Sequence, residues 1–208
     1  LQSVAKALRN LGLYDRAMPP QERALEIFRA ELGPDAALTI GSTGHMSAIL
    51  AAQGRYDEAE VYLDQVLESI RRTKGDDHPS VLGAVDDMAN LRYRQGRYAE
   101  AEELEREVME RRRRTLGENH ADTLKSITMM AILTNVLGRY DEAEPIYKRG
   151  LDLARKQAGA DNPDTLVTAH NLAFLYQSMG RHDEAEPLFI DTLERCQRVF
   201  GPAHPGTM

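Results

Sequence analysis

Gly12, Gly54, Gly96, Gly138 and Gly180 stand 42 residues apart, without one insertion or deletion between them. The last four open near-copies of one heptapeptide: Gly54-Arg55-Tyr56-Asp57-Glu58-Ala59-Glu60, Gly96-Arg97-Tyr98-Ala99-Glu100-Ala101-Glu102, Gly138-Arg139-Tyr140-Asp141-Glu142-Ala143-Glu144 and Gly180-Arg181-His182-Asp183-Glu184-Ala185-Glu186. A diverged copy stands at Gly12-Leu13-Tyr14-Asp15-Arg16-Ala17. A constant period of this size builds a stack of like units whose core grows by addition. The 208 residues therefore read as one array rather than two closed domains.

Composition narrows the function classes. A hydrophobic fraction of 42% with 28% charged residues suits a folded, soluble chain. A net charge of −7 disfavours nucleic acid as a partner. The single cysteine, Cys196, excludes an intrachain disulfide framework and points to a reducing, cytoplasmic setting. No apolar run approaches the roughly 18 residues that a membrane helix needs. The first residues lack both an initiator methionine and the layout of a signal peptide, so the chain reads as a fragment.

Apolar spacing predicts two helices per unit. The first runs about 37–52, 79–94, 121–136 and 163–178; the second runs about 56–73, 98–116, 140–158 and 182–200. Earlier, residues 1–11 read as a helix ending at Gly12, and 13–32 as one ending at Gly33, with Pro19-Pro20 predicting a late or distorted start. The Gly-Arg turn ends each first helix through a left-handed glycine. Asp57, Asp141 and Asp183 are placed at the opening of the second helix as caps, with Pro145 and Pro187 in its first turn. The linkers Asp77-His78-Pro79-Ser80, Asn119-His120-Ala121-Asp122 and Asp161-Asn162-Pro163-Asp164 open the next first helix, with Asn162 as its cap. The boundaries follow: a partial repeat at 1–34, repeats at about 35–76, 77–118, 119–160 and 161–202, and the start of another at 203–208.

Aligned by the period, Ala17, Ala59, Ala101, Ala143 and Ala185 form one column, and Ala5, Ser47, Ala89, Ala131 and Ala173 another. Uniformly small residues imply close helix approach, where a larger side chain would cost about 1–3 kcal/mol. Val4, Met46, Met88, Met130 and Leu172, and Leu25, Leu67, Met109, Leu151 and Leu193, are the larger stacking columns.

A small residue in the first helix followed by Gly-x-Tyr-x-x-Ala at the second resembles the tetratricopeptide repeat (TPR). The 42-residue period and linkers such as Leu116-Gly117-Glu118-Asn119-His120 are similar to the long-helix variety of kinesin light chain. The resemblance spans essentially the whole chain. It implies an all-α fold, a right-handed α-solenoid of stacked antiparallel helix pairs, with the first helices lining the concave side. Similar arrays lie beside NTPase or kinase domains in microbial signalling proteins.

The first helices carry a second face not needed for stacking, at positions i, i+1, i+4, i+7 and i+8. It holds Gly44, His45, Ala48, Ala51 and Ala52; then Asp86, Asp87, Asn90, Tyr93 and Arg94; then Thr128, Met129, Ile132, Asn135 and Val136; then His170, Asn171, Phe174, Gln177 and Ser178. Amides, aromatics and a few charges suit an extended peptide, whose backbone the amides can bind. The candidate groove residues are Asp86, Asp87, Asn90, Tyr93, Arg94, Asn135, His170, Asn171, Phe174 and Gln177. Phe174 and Ile132 could alternatively pack against a neighbouring helix. Some TPR domains clamp a C-terminal carboxylate with lysines and asparagines; Asp86, Asp87 and Gly44 depart from that pattern and favour a basic or neutral peptide. Kinesin light chain's basic contacts to tryptophan-acidic cargo peptides find only Arg94 and Lys125 here.

Arg111-Arg112-Arg113-Arg114 sits at a helix C-terminus behind a glutamate-rich half, which accounts for it without nucleic acid. His78, His120 and His204 share a linker column without nearby ligating partners, so they support helix starts rather than metal. Cys196 aligns with Phe28, Ile70 and Ala154 as a packing residue, a column that Arg112 breaks. No catalytic motif or cofactor fingerprint is present. The expected role is a non-catalytic protein- or peptide-binding scaffold. The alternative is a regulatory array packed against an NTPase or kinase domain of the parent chain. End-to-end self-association is expected through apolar solenoid ends. Gly41 and Gly44 predict that helix 37–52 is the softest of the complete helices.

Overall fold

The computed structural model describes residues 1–76 and 78–201. Asp77 in its linker, and His204 with the expected new repeat at 203–208, lie outside the described residues. Among the described residues there are ten helices and no strand: α1 Gln2–Asn10, α2 Tyr14–Leu32, α3 Ala37–Ala52, α4 Tyr56–Lys74, α5 Pro79–Arg94, α6 Tyr98–Leu116, α7 Ala121–Val136, α8 Tyr140–Ala158, α9 Pro163–Ser178 and α10 His182–Phe200. Consecutive helices pack in pairs, α1 on α2, α3 on α4, α7 on α8 and α9 on α10; α2·α3, α4·α5 and α8·α9 join one pair to the next. The chain divides into two compact units, Leu1–Leu104 and Glu105–Met208.

Each boundary has a local chemical cause. After α7, Gly138 at φ 76° lets its own N–H reach the Asn135 carbonyl at 2.9 Å, while Arg139 N–H reaches that of Thr134 at 3.1 Å. This pair of bonds satisfies the last carbonyls of the helix, and glycine alone takes that conformation freely. The same bonds recur after α1, α3, α5 and α9. At the opening of the first helices, His78 Nδ1 accepts from Ser80 N–H at 3.1 Å, His120 Nδ1 from Asp122 N–H at 3.2 Å and Asn162 Oδ1 from Asp164 N–H at 2.9 Å. His78 and His120 are thus helix caps.

Three expectations are corrected at the second helices. Their N-caps are Arg55, Arg139 and Arg181, none of which makes a side-chain cap bond. Asp57, Asp141 and Asp183 stand inside the helix, where they favour the positive end of its dipole rather than capping it. Pro145 and Pro187 fall beyond the first turn, in helices that open at Tyr140 and His182. Likewise α2 begins on schedule at Tyr14 and carries Pro19 and Pro20 inside it. Pro19, Pro145 and Pro187 are exposed, as are Asp15, Asp141 and Asp183 four residues earlier, whose carbonyls lose a donor to proline. On a solvent-facing turn such carbonyls tilt toward water, so the helix continues.

In unit 1, Ala17, Met18, Leu25, Met46, Ile49, Leu50, Ala59, Leu63, Met88 and Leu91 form one buried cluster. In unit 2, Ala131, Ala143, Tyr147, Leu151, Ala169, Leu172, Leu175, Tyr176 and Ala185 form another. Both small-residue columns are at most 3% exposed throughout. Val4 and Leu193, on the first and last helices, leave their columns at 54% and 44% exposure. Cys196 is half-buried, less deeply than the column positions Ile70 and Ala154.

Arg112 is the departure in that column, and it is 7% exposed. It donates to Ser126 Oγ at 2.7 Å and braces α6 against α7. Arg111 pairs with Glu107 at 3.0 Å and Arg113 with Glu118 at 3.6 Å. The arginine run is therefore largely built into the fold.

Gly41 in α3 is exposed, and a β-carbon there would meet nothing within 4 Å. Gly41→Ala is expected to stabilise unit 1 by about 0.5–1 kcal/mol, by helix propensity alone. Hydrogen exchange should show α3 amides less protected than those of α9 in the parent, and slower in the variant. Equal protection of α3 and α9 in the parent would refute the softness of α3.

Candidate binding faces

The expected groove residues fall into two groups, one per unit. Asp86, Asp87, Asn90, Tyr93 and Arg94 lie on α5 in unit 1; Asn135 on α7, and His170, Asn171, Phe174 and Gln177 on α9, lie in unit 2. None is buried: Asp87, Arg94, His170, Phe174 and Gln177 are exposed and the rest half-buried. Stacking uses the opposite side of the same helices, where Met88, Ala89, Leu172 and Ala173 are 6% exposed or less.

Local contacts hold several of these side chains. Asn90 Nδ2 donates to the Asp86 carbonyl at 3.0 Å, spending one of its two N–H donors within its own helix. The rings of Tyr93 and Tyr98 lie 5.4 Å apart, so Tyr93 is propped by the start of α6. His170 meets Phe189 of α10 edge-on at 5.3 Å. Phe174 stays open at 52% exposure, whereas Ile132 is half-buried against the unit 2 core. Of the two apolar residues in doubt, only Ile132 packs as a core neighbour.

Two carboxylates of one repeat column lock successive helix pairs. Glu60 of α4 is paired with Arg92 of α5 and also accepts from Gln95 at 3.2 Å. The Arg92 guanidinium holds the Glu60 carboxyl at about 2. Glu144 of α8 accepts from Arg181, beyond α9, at 2.5 Å and from Lys148 at 2.6 Å, and these two hold it at about 2. Arg181 also stacks over the Tyr176 ring, 4.5 Å from its centroid.

Both carboxyls ionise below the ordinary 4.5 only in the folded chain. Their contribution is complete above pH 4.5 and is lost as the pH falls from there toward 2, because the unfolded chain then binds protons first. Glu60 and Glu144 are 23% and 17% exposed, so after solvent screening each is worth about 1 kcal/mol. The Glu60→Gln, Glu144→Gln variant should be less stable at pH 6 and depend less on acid below pH 4.5. Urea titrations at pH 6, 4 and 2.5 measure both; parallel pH curves for the two proteins would refute the assignment.

Unit 2 contains a feature the sequence reading passed over. A cavity of about 300 Å³ opens between α7 and α9 over α8, with Leu124, Met129, Ile132 and Val167 among its apolar walls and Gly150 and Thr165 deeper in. None of the ten candidate groove residues lines it, but Thr128, Met129 and Ile132 of the α7 face do. The available signal was Gly150, which shares a repeat column with Ala24, Val66, Val108 and Thr192 and is the one member without a side chain.

Comparison with known proteins follows from this geometry. One tetratricopeptide-repeat profile matches residues 1–35 and 165–206, and a second matches 38–110, 83–156 and 126–177. The chain belongs to the tetratricopeptide-repeat family. No curated protein matches this TPR chain in sequence. Among solved structures it is similar to nearly identical TPR-like repeats from Podosopora anserina, described as a kinesin light chain, at 24% identity over 95% of this chain and 93% of that one, with a TM-score of 0.79. It is also similar to NprR in complex with its cognate peptide NprX, at 18% identity over 97% of this chain and 55% of that one, TM-score 0.66. A Rap protein complexed with competence and sporulation factor aligns at 15% identity over 95% and 63%, TM-score 0.61. At these identities the likeness establishes the TPR fold. Among the described residues, no three His, Cys, Asp or Glu side chains gather as a metal site, and no helix is long and apolar enough to cross a membrane.

Proposed function

We propose that this TPR chain is a non-catalytic scaffold that binds peptide or protein segments on the outward faces of its first helices. The observation that carries this reading is the division of those helices: one side buried in stacking, the other presenting amides, charges and aromatics. The unit 1 face uses Asp86, Asp87, Asn90, Tyr93 and Arg94. The unit 2 face uses Asn135, His170, Asn171, Phe174 and Gln177, with Phe174 as the apolar anchor at 52% exposure. Large exposed aromatics beside amides are what extended segments use for side-chain and backbone contacts. The complex of NprR with its cognate peptide supports the same use of this fold. Glu60 and Glu144, whose carboxyls are held at about 2, lie well below neutrality, which makes them structural anchors rather than general acids.

The test is a random-peptide display selection on the wild-type chain, followed by binding of the enriched peptide to Tyr93→Ala and Phe174→Ala variants. A consensus peptide weakened about tenfold by either variant is the expected result, in keeping with loss of an aromatic anchor. Enrichment indifferent to both substitutions, or no enrichment, would overturn the use of these faces for peptides.

A further inference from the structure

We propose that the cavity over Gly150 is a subsite for one uncharged aliphatic side chain of a bound peptide. The inference rests on the peptide-binding reading above and assigns a ligand chemistry to the part of the α7 face, at Thr128, Met129 and Ile132, that the reading left without one. Two positions of α8 that line the cavity are small. Gly150 stands in the column of Val66 and Val108, and Ala154 in the column of Ile70. In unit 1 the equivalent position carries Val66, which is 8% exposed, and its Cγ2 would lie 4.0 Å from a β-carbon on Gly44 of the facing helix. In unit 2 that valine side chain is missing, Ile127 Cγ2 and Thr168 Cγ2 come to 3.3 Å and 3.9 Å of where a β-carbon on Gly150 would stand, and the cavity lies beside them.

The second observation is a buried hydroxyl. Thr165 lines the cavity and is 1% exposed, yet its Oγ1 makes no hydrogen bond among the described residues. Thr39 and Thr123 occupy the same column and both hydroxyls are satisfied, donating to the Gly33 carbonyl at 2.7 Å and to that of Gly117 at 2.9 Å. A buried hydroxyl without a partner is costly, and a ligand amide beside it removes the cost. The occupant therefore needs an apolar body and one neighbouring polar group, which is an aliphatic residue within a peptide.

Charge and size agree. The rim carries one cation, Lys125, already 3.5 Å from Asp122, and one anion, Asp164, so it is balanced and complements a neutral residue. A volume of about 300 Å³ is at the lower limit for ligand pockets and suits a single leucine-sized side chain with its amide.

The experiment titrates N-acetyl-L-leucine N-methylamide into the isotope-labelled chain and follows backbone amide NMR shifts. The alanine and glutamate analogues serve as controls. Given its size, the leucine probe should bind with a Kd of about millimolar. Shifts should centre on Leu124, Gly150, Thr165 and Val167, and the controls should bind about tenfold more weakly, from lost apolar burial and from buried charge. Gly150→Val should abolish the shifts by filling the space. Its β-carbon falls 3.3 Å from Ile127 Cγ2, so Val167→Glu, at a position 55% exposed, provides a second block that leaves the packing alone. Thr165→Val should weaken the probe while keeping the leucine-over-alanine preference.

A leucine probe that leaves these amides unmoved, or moves them equally with Val167→Glu, overturns the subsite. A display-selected peptide that binds independently of Gly150→Val and Val167→Glu overturns it too, and leaves the scaffold reading standing. Leucine-probe binding blocked by both variants, in a chain that selects no peptide, supports the cavity as an aliphatic site and removes the use of the first-helix faces for peptides.

Discussion

Tyr147→Ala is expected to destabilise unit 2 by about 3–5 kcal/mol, the cost of deleting a fully buried aromatic ring and leaving its cavity. Tyr147 is 1% exposed and sits in the cluster of Ala131, Ala143, Leu172, Leu175 and Tyr176, where α7, α8 and α9 meet. Four of the cluster's members are alanines, Ala131, Ala143, Ala169 and Ala185, which have no side-chain length to move inward and fill the space. The loss should be read by hydrogen exchange of α7, α8 and α9 as well as by urea titration, because a repeat array need not unfold in one step. Leu38→Ala, at a position 52% exposed, is the control and should stay within about 0.5 kcal/mol. A Tyr147→Ala effect no larger than that control would mean the ring is not a core element.

Helix existence and spacing were readable because each boundary carries its own chemical mark: the glycine after a first helix, and His78, His120 or Asn162 before the next. The observed ends match the expected ones closely, α4 running one residue further to Lys74. Positions inside the second helices were misplaced because Arg139 and its counterparts give no side-chain sign that they are the caps. Proline was read as a first-turn residue, although a solvent-facing second turn tolerates it as well.

The core was less readable, because one column mixes chemistries. Gln21, Leu63, Glu105 and Tyr147 share a repeat position, and all are 5% exposed or less. Gln21 is accommodated by donating to Ser42 Oγ at 2.7 Å, a partner visible only once α2 and α3 are packed. Arg112 and Ser126 are a similar pair. Of the candidate site, exposure of the first-helix faces followed from periodicity alone. The Gly150 cavity did not, since an absent side chain shows itself only against the valines at 66 and 108.

Ala59→Leu tests the tightest feature of the array, and it is expected to cost about 1–3 kcal/mol in unit 1 by overpacking. Ala59 is 0% exposed, and its carbonyl accepts the Ser47 hydroxyl from the facing helix at 2.9 Å. That bond holds α3 and α4 backbones within reach of a two-atom side chain. A leucine at 59 has no free volume and must push the helices apart, which also breaks the Ser47 bond and leaves a buried hydroxyl unpaired. The same change at Ala48, exposed on the outer face of α3, meets no such wall and should be nearly neutral, since leucine and alanine have similar helix propensities. Ser47→Ala separates the two components: it removes the hydrogen bond while keeping the volume small, and should cost about 1 kcal/mol. If Ala59→Leu and Ala48→Leu shift the urea midpoint equally, close approach is not the reason the column is alanine.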